Sequence, residues 1–453
     1  MSLLQGVVHV QTVLNGLLMS GVCVSLLLIC GVSLEGQTTS GSQDYILANR
    51  VLQLEQQLLE LKKEMAALKS GSVTAIEPAG DGEPQPLNFV SPASEASRAA
   101  PKSPSAASLL GPTSLSGFID VYYGQNFNNP ATRTNGLRFF DVASNQFGLN
   151  LIELVVDKSP TVATSRTGYH VALGYGQAMT AITGAGVTNS LSADQYLKEA
   201  YFSYLAPIGK GLQIDVGKFV TPAGFEVIET KDDYNYSRGI LFSYAIPYYH
   251  FGMRAKYAFN DKYSLAGYFT NGWSNVVDNN SGKTYGVSFA WNPTQKLGVV
   301  QNYLAGPEQN DLNSNWRQLS DTVVTYSATK RLTLAANFDY GRGDRIAGIA
   351  NPVYWSGIAG YFKLALAEKY SVAGRYEYFN DHYGFATGTA GHIQEVTGTF
   401  EHPFTNNILS RFEFRRDSAS NPIFTKGSAT SVSGETTLTA GLIFTFDSRE
   451  KAK

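Results

Sequence analysis

Cysteine is almost missing from this chain. The only two, Cys23 and Cys30, lie in one apolar run near the N-terminus, and positions 31–453 contain none. That excludes a disulfide framework, a Cys-ligated zinc site and a cysteine nucleophile from the remainder. Charge is also sparse: 16% of the 453 residues are charged, against about 25% in ordinary soluble domains. The 35 Lys+Arg and 37 Asp+Glu leave a formal net charge of −2, which excludes a generally basic nucleic-acid binder. Long apolar runs do not recur and the mean hydropathy is −0.13, so a polytopic helical membrane protein is excluded as well. His170, His250, His382, His392 and His402 show no HExxH spacing, and Gly174-Tyr175-Gly176 does not precede a helical pattern. These residues therefore point to no zinc site, no phosphate loop and no other cofactor, and the chain reads as a non-enzyme.

Aromatic residues are scarce at one end only. Tyr45 and Phe89 are the sole aromatics before position 114, although the chain has 26 Tyr, 25 Phe and 4 Trp. The compositional boundary falls near Pro112. Before it, Gly16–Val32 is an uncharged apolar stretch of the length of a signal-peptide core, and residues 1–36 are read as a secretory signal. The small-residue step Gly31-Val32-Ser33 is the cleavage candidate; the missing basic residue before Arg50 keeps a retained anchor as the alternative. Residues 44–69 carry a heptad seam of Leu47, Val51, Leu54, Leu58, Leu61, Met65 and Leu68. Alternating steps of four and three residues predict a coiled coil. Parallel chains would face Arg50 with Glu55, Gln57 with Lys62 and Glu64 with Lys69, so no pair repels. Residues 70–113, rich in Pro, Ala, Ser and Gly, cannot bury a core and read as a tether.

From 114 to 446 the pattern has period two. Sixteen segments alternate apolar and polar residues, at 115–127, 146–157, 166–177, 196–206, 212–220, 249–259, 263–273, 284–292, 297–305, 319–329, 331–341, 355–367, 370–380, 392–402, 408–417 and 435–446. Leu332, Leu334, Ala336, Phe338 and Tyr340 form one such apolar row, and Arg375 and Glu377 belong to a polar one. The segments 146–157 and 297–305 do not reveal their phase. Connections alternate between long and tight, the one after 297–305 being counted among the long. The expected fold is all-β: a 16-stranded antiparallel up-and-down transmembrane β-barrel, preceded by a short N-terminal coiled-coil helix. The apolar rows then face outer-membrane lipid and the polar rows a water-filled lumen. Tyr122, Tyr123, Trp273, Trp291 and Trp355 are the expected interfacial aromatics. Residues 447–453 form a charged tail.

The longest connection, 221–248, is the third long one, and in large porins that loop folds inward. Its acids Glu226, Glu229, Asp232 and Asp233 are expected to oppose the lumen-row bases Arg254, Lys256, Arg375, Arg411 and Arg415 across a constriction. Such opposed charges would set a transverse field.

The runs Gly217-Lys218-Phe219-Val220-Thr221-Pro222, Gly224-Phe225-Glu226, Asn235-Tyr236-Ser237-Arg238 and Ile246-Pro247-Tyr248-Tyr249-His250-Phe251-Gly252 carry a family resemblance. With Lys198-Glu199-Ala200-Tyr201 and Tyr268-Phe269-Thr270-Asn271-Gly272-Trp273, they resemble the OmpL-like, second-type β-barrel porins of bacterial outer membranes. The resemblance implies a diffusion channel for small hydrophilic solutes and no catalytic residues. Phe446 is followed by seven further residues, a departure from barrels that end in an aromatic. The competing reading is a structural barrel that ties the membrane to the cell wall through the periplasmic helix. The heptad seam and the barrel together suggest a homo-trimer.

Overall fold

A computed structural model describes residues 112–183, 195–343 and 352–449. The apolar run, the heptad seam with Leu47, Val51, Leu54, Leu58, Leu61, Met65 and Leu68, the tether up to 111 and the end of the tail from 450 lie outside the described residues.

The described chain closes into one barrel. Its strands are β1 (Ser114–Asn126), β2 (Gln146–Lys158), β3 (Thr167–Tyr175), β4 (Leu197–Ala206), β5 (Leu212–Val220), β6 (Tyr249–Ala258), β7 (Tyr263–Thr270) and β8 (Thr284–Thr294). They continue as β9 (Leu297–Gln309), β10 (Leu312–Ser327), β11 (Leu332–Gly343), β12 (Val353–Ala367), β13 (Tyr370–Asp381), β14 (Gly391–Pro403), β15 (Ile408–Ala419) and β18 (Gly434–Asp447). Each pairs antiparallel with its neighbour, and β1 pairs with β18, so no edge is left open. The small hairpin β16 (Phe424–Lys426) and β17 (Thr430–Val432) lies between β15 and β18 as a separate sheet. Closure is what a membrane demands, because lipid offers no partner to a free backbone N–H or C=O.

The outward rows are those the alternation predicts. Leu334, Phe338 and Tyr340 on β11 and Leu438, Leu442 and Phe444 on β18 are exposed, while Asn337, Asp339, Thr437 and Thr439 between them are buried inside. The two segments without a readable phase have local causes. On β2, Asn150 is an extra residue: Asp120 pairs with Leu151 and Val121 with Leu149, which shifts the alternation by one. On β9, Tyr303 points out together with the polar Gln301, while the apolar Leu304 points in and is 1% exposed.

Two expectations are corrected. The connection after β9 is not long. Its polar, proline-containing sequence pairs as strand up to a two-residue turn, Asn310 and Asp311, with Asp311 at φ 57°. Asn279 and Asn280 from the β7–β8 connection hold this hairpin by donating to the carbonyls of Glu308 and Pro307, both at 3.1 Å. Among the aromatics assigned to the interfaces, Tyr122 and Trp355 turn inward and are buried, and Trp273 packs against the internal core. Tyr122 shares the lumen row with Phe118 and Asp120. Trp291 is exposed on the outer surface, as are Tyr263, Tyr285, Tyr303, Trp316, Tyr326 and Tyr340.

A charge placed on the lipid row at mid-strand should be costly. Phe338→Arg is expected to lower folding stability by about 2–4 kcal/mol, and Tyr326→Arg, on the lipid row near the strand end, by about 0–1 kcal/mol. Denaturant unfolding in lipid vesicles measures both; equal small costs would contradict the assigned faces.

Candidate functional site

The core of this barrel is inside it. The connection 221–248 turns in from β5 and back to β6, and a short helix within it, Ile240–Tyr244, buries Ile240, Leu241 and Phe242. With Ala223, Ile228, Ala245 and Ile246 these pack on Phe118, Phe140, Leu319, Trp355, Tyr361, Phe379 and Ile393. Trp355 Nε1 donates to the carbonyl of Ala245 at 3.1 Å. Close approach to the wall requires glycine at two places. A Cβ on Gly239 would sit 2.1 Å from Glu377 Oε1, and one on Gly441 2.3 Å from the Tyr236 ring.

The inserted backbone is satisfied largely by wall charges. Glu413 accepts from the N–H of Tyr236 at 2.5 Å and of Ser237 at 3.0 Å. Glu377 accepts from the N–H of Ile240. In the opposite sense, Arg411 donates to the carbonyls of Thr230, Asp233 (2.6 Å) and Asn235 (3.0 Å). Arg375 donates to the carbonyl of Ser237 at 2.6 Å, and Arg415 to that of Arg238, also at 2.6 Å. Tyr236 Oη donates to Asp120 Oδ1 at 2.7 Å, and burial holds its phenol well above the usual tyrosine range.

The sequence-selected acids and bases therefore meet differently from a pair of opposed rows. Glu226 contacts Arg375 directly and also accepts from the Gly239 N–H at 2.6 Å. Glu229 pairs with Lys198. Asp232 stands exposed beside Lys231, at 2.5 Å. Asp233 is buried 3.5 Å from Arg238 of its own loop; burial pushes its carboxyl up against the pull of that guanidinium. Arg411 also binds Glu401, and Arg415 binds Asp417, both at 2.8 Å. Arg254 and Lys256 share a wall acid, Asp215, at 2.8 and 2.9 Å. Apart from these two bases and the exposed Asp232, the loop and the wall are joined rather than set across a gap.

Sequence reasoning missed Lys198, Asp215, Glu395, Glu413 and Asp417. One signal was present. Arg411, Glu413, Arg415 and Asp417 alternate sign at period two along β15, so all four share the lumen row. A second cluster sits on β2–β4: His170 Nδ1 lies 3.0 Å from Asp157 and Nε2 lies 3.4 Å from Glu199. Glu199 also accepts from the N–H of Val220 at 3.0 Å, where the loop leaves the wall. Among the described residues, no group of three or more His, Cys, Asp or Glu could hold a metal ion.

A closed 16-stranded barrel with its third long connection packed inside has the architecture of a porin. The family model "Putative beta-barrel porin-2, OmpL-like" matches residues 112–446. The chain belongs to that family, and its place is the bacterial outer membrane. Curated proteins gave no match. Among solved structures, the anion-selective porin from Comamonas acidovorans is similar with a TM-score of 0.51 at 9% identity, covering 74% of this chain and 99% of that one. The trimer form of OmpT from Vibrio cholerae has a TM-score of 0.49 at 11% identity, covering 74% and 99%. The channel DcaP of Acinetobacter baumannii has 0.47 at 9%, covering 74% and 97%. At such identities the likeness is one of fold.

Glu413→Ala would leave the N–H groups of Tyr236 and Ser237 buried without their acceptor. An unmade buried hydrogen bond costs about 1–3 kcal/mol, more beside a charge. Hydrogen exchange at residues 236–237 is expected to quicken by about one to two orders of magnitude, with strand amides unaffected. Unchanged exchange there would mean that Glu413 does not hold the loop.

Proposed function

We propose that this protein is a porin that lets small hydrophilic solutes diffuse passively across the outer membrane, with 221–248 as the constriction. It does so without catalysis. One observation carries the reading: a charged lumen-row side chain remains open to solvent outside the wall that the loop covers. Lys256 on β6 is 39% exposed at the side chain, whereas Arg375, Arg411 and Arg415 under the loop are almost fully buried. Water thus reaches the inner wall at the tight-turn end of β6, two residues before the strand ends at Ala258. A narrowed, polar path is what size-limited diffusion needs. The purified full-length protein in planar bilayers tests this: stepwise conductance is expected. Deleting 226–237 is expected to raise it severalfold while the barrel keeps its heat-modifiable mobility. Unaltered conductance in the deletion would remove 221–248 from the pore; silence of the wild type would remove the channel itself.

The N-terminal part completes the proposal. Residues 1–36 serve as signal peptide, 44–69 as a periplasmic coiled coil, 70–113 as its tether and 447–453 as a charged tail. Three chains associate through Leu47, Val51, Leu54, Leu58, Leu61, Met65 and Leu68. The seam supports self-association because no g-to-e′ pair repels in a parallel arrangement. Tethering to a barrel would raise the local concentration that so short a coil needs. The helix as a cell-wall contact is the competing role. Replacing Leu54 and Leu61 together by Asp is expected to convert a detergent-stable trimer to monomers in native mass analysis, with the barrel still folded. A monomeric wild type would refute the trimer.

A further inference from the structure

Four arginines stand on the lumen rows of β6, β13 and β15, and three of them are committed to the loop. Arg375, Arg411 and Arg415 each direct terminal guanidinium nitrogens to its carbonyls. Arg254 is different. Its Nε donates to Asp215 Oδ2 at 2.8 Å, and this is its one hydrogen bond among the described residues. The guanidinium lies over the rings of Tyr201, at 4.8 Å, and Phe219, at 4.5 Å. Tyr201 is held in turn by His170, stacked at 5.1 Å with 13° between the planes. The plane of Arg254 is thus fixed by two rings and its inner edge by one carboxylate, which leaves the two terminal nitrogens as unspent donors. The side chain keeps 12% exposure.

Charge adds to geometry. Asp215, fully buried, also accepts from Ser203 Oγ at 2.7 Å and Gln213 Nε2 at 2.8 Å, and it is the acid paired with Lys256. Two cations therefore share one carboxylate, and a net positive charge is left where solvent reaches the wall. The nearest acids on the other side of Tyr201, Asp157 and Glu199, are engaged by the two ring nitrogens of His170.

We infer that Arg254 and Lys256 form a binding step for an oxyanion group, a carboxylate or a phosphate, on small solutes that pass the barrel. A planar guanidinium with two parallel N–H donors matches such a group bidentately, and fixing it in advance reduces the ordering cost of each bond. The ammonium of Lys256 supplies the second charge. The inference rests on the channel reading for its role in passage, but binding itself does not.

The experiment has two arms. Calorimetric titration of the folded full-length protein in detergent uses succinate, inorganic phosphate and, as neutral control, glucose. Wild-type protein is expected to bind at least one of the two anions and not glucose. The preferred anion tells carboxylate from phosphate. Arg254→Gln is expected to weaken that binding by about 10- to 100-fold, the worth of a charge-assisted pair, and Lys256→Gln by a smaller factor. Arg416→Gln, on the lipid row, is the control expected to bind like the wild type. Because Asp215 keeps Lys256, Ser203 and Gln213, the Arg254 variant should fold, which heat-modifiable mobility verifies. No anion binding by the wild type, or equal binding by wild type and Arg254→Gln, would overturn the site. The second arm adds the bound anion to single channels, where it should reduce chloride current in the wild type more than in Arg254→Gln. Anion binding without any conductance would sink the channel and leave the site standing.

Discussion

The interior of this barrel depends on the need of a buried polypeptide backbone for hydrogen-bond partners. A 28-residue excursion from the wall, from 221 to 248, cannot lie in the lumen with its peptide groups unpaired, because each would cost about as much as a lost hydrogen bond. It forms little regular structure of its own beyond one turn of 3-10 helix and a five-residue α-helix. The wall therefore supplies the partners. Glu413 and Glu377 accept from its N–H groups, and Arg375, Arg411 and Arg415 donate to its carbonyls. These wall charges also pair with one another, Arg375 with Glu395 and Arg415 with Asp417, each at 2.8 Å. Buried ions are tolerable only when paired and hydrogen-bonded in this way.

That solution divides the lumen. The sector from β10 through β18 to β1 is filled by the loop's apolar side and its hydrogen-bonded backbone. Near the tight-turn end of β6, Lys256 stays 39% exposed at the side chain, with Asp215 and Arg254 beside it. Porin and plug are thus two ends of one scale, set by how far the inserted loop covers the wall. The same residue type is used in two ways. An arginine under the loop donates to its carbonyls, whereas Arg254 on β6 donates only from Nε, to Asp215, among the described residues.

The strands were legible in the sequence because lipid and lumen impose opposite polarity on alternate residues, and sixteen segments carry that mark. Legibility failed where polarity and facing disagree. Asn150 inserts one residue and reverses the count, and Leu304 points inward because the loop makes that part of the lumen apolar. Trp355 and Tyr122 were misplaced for the same reason, since an aromatic on a strand serves an inner core as readily as a membrane interface. The loop's location was legible from its length and its ordinal position. Its contacts were not, because they run through backbone groups that every residue possesses. Glu226 with Arg375 could be named from side chains, but Arg411 with the carbonyls of Thr230, Asp233 and Asn235 could not.

The rule that governs the inside also accounts for the strangest feature outside. Gln301 sits on the lipid row of β9, opposite Thr322 on β10. Its Oε1 accepts from Thr322 Oγ1 at 2.7 Å, while its Nε2 reaches Ser320 Oγ at 3.2 Å and the carbonyls of Asn302 and Asp321, both at 3.0 Å. A glutamine amide has two donors and an acceptor, and in hydrocarbon each needs a partner within the protein. The neighbouring hydroxyls and the ladder's own carbonyls provide them, so the amide is satisfied without water. Polarity on a lipid-facing strand is thus compatible with the membrane when hydrogen bonding is complete, and it is the completeness of pairing, more than the hydrophobic count, that both faces of this sheet have in common.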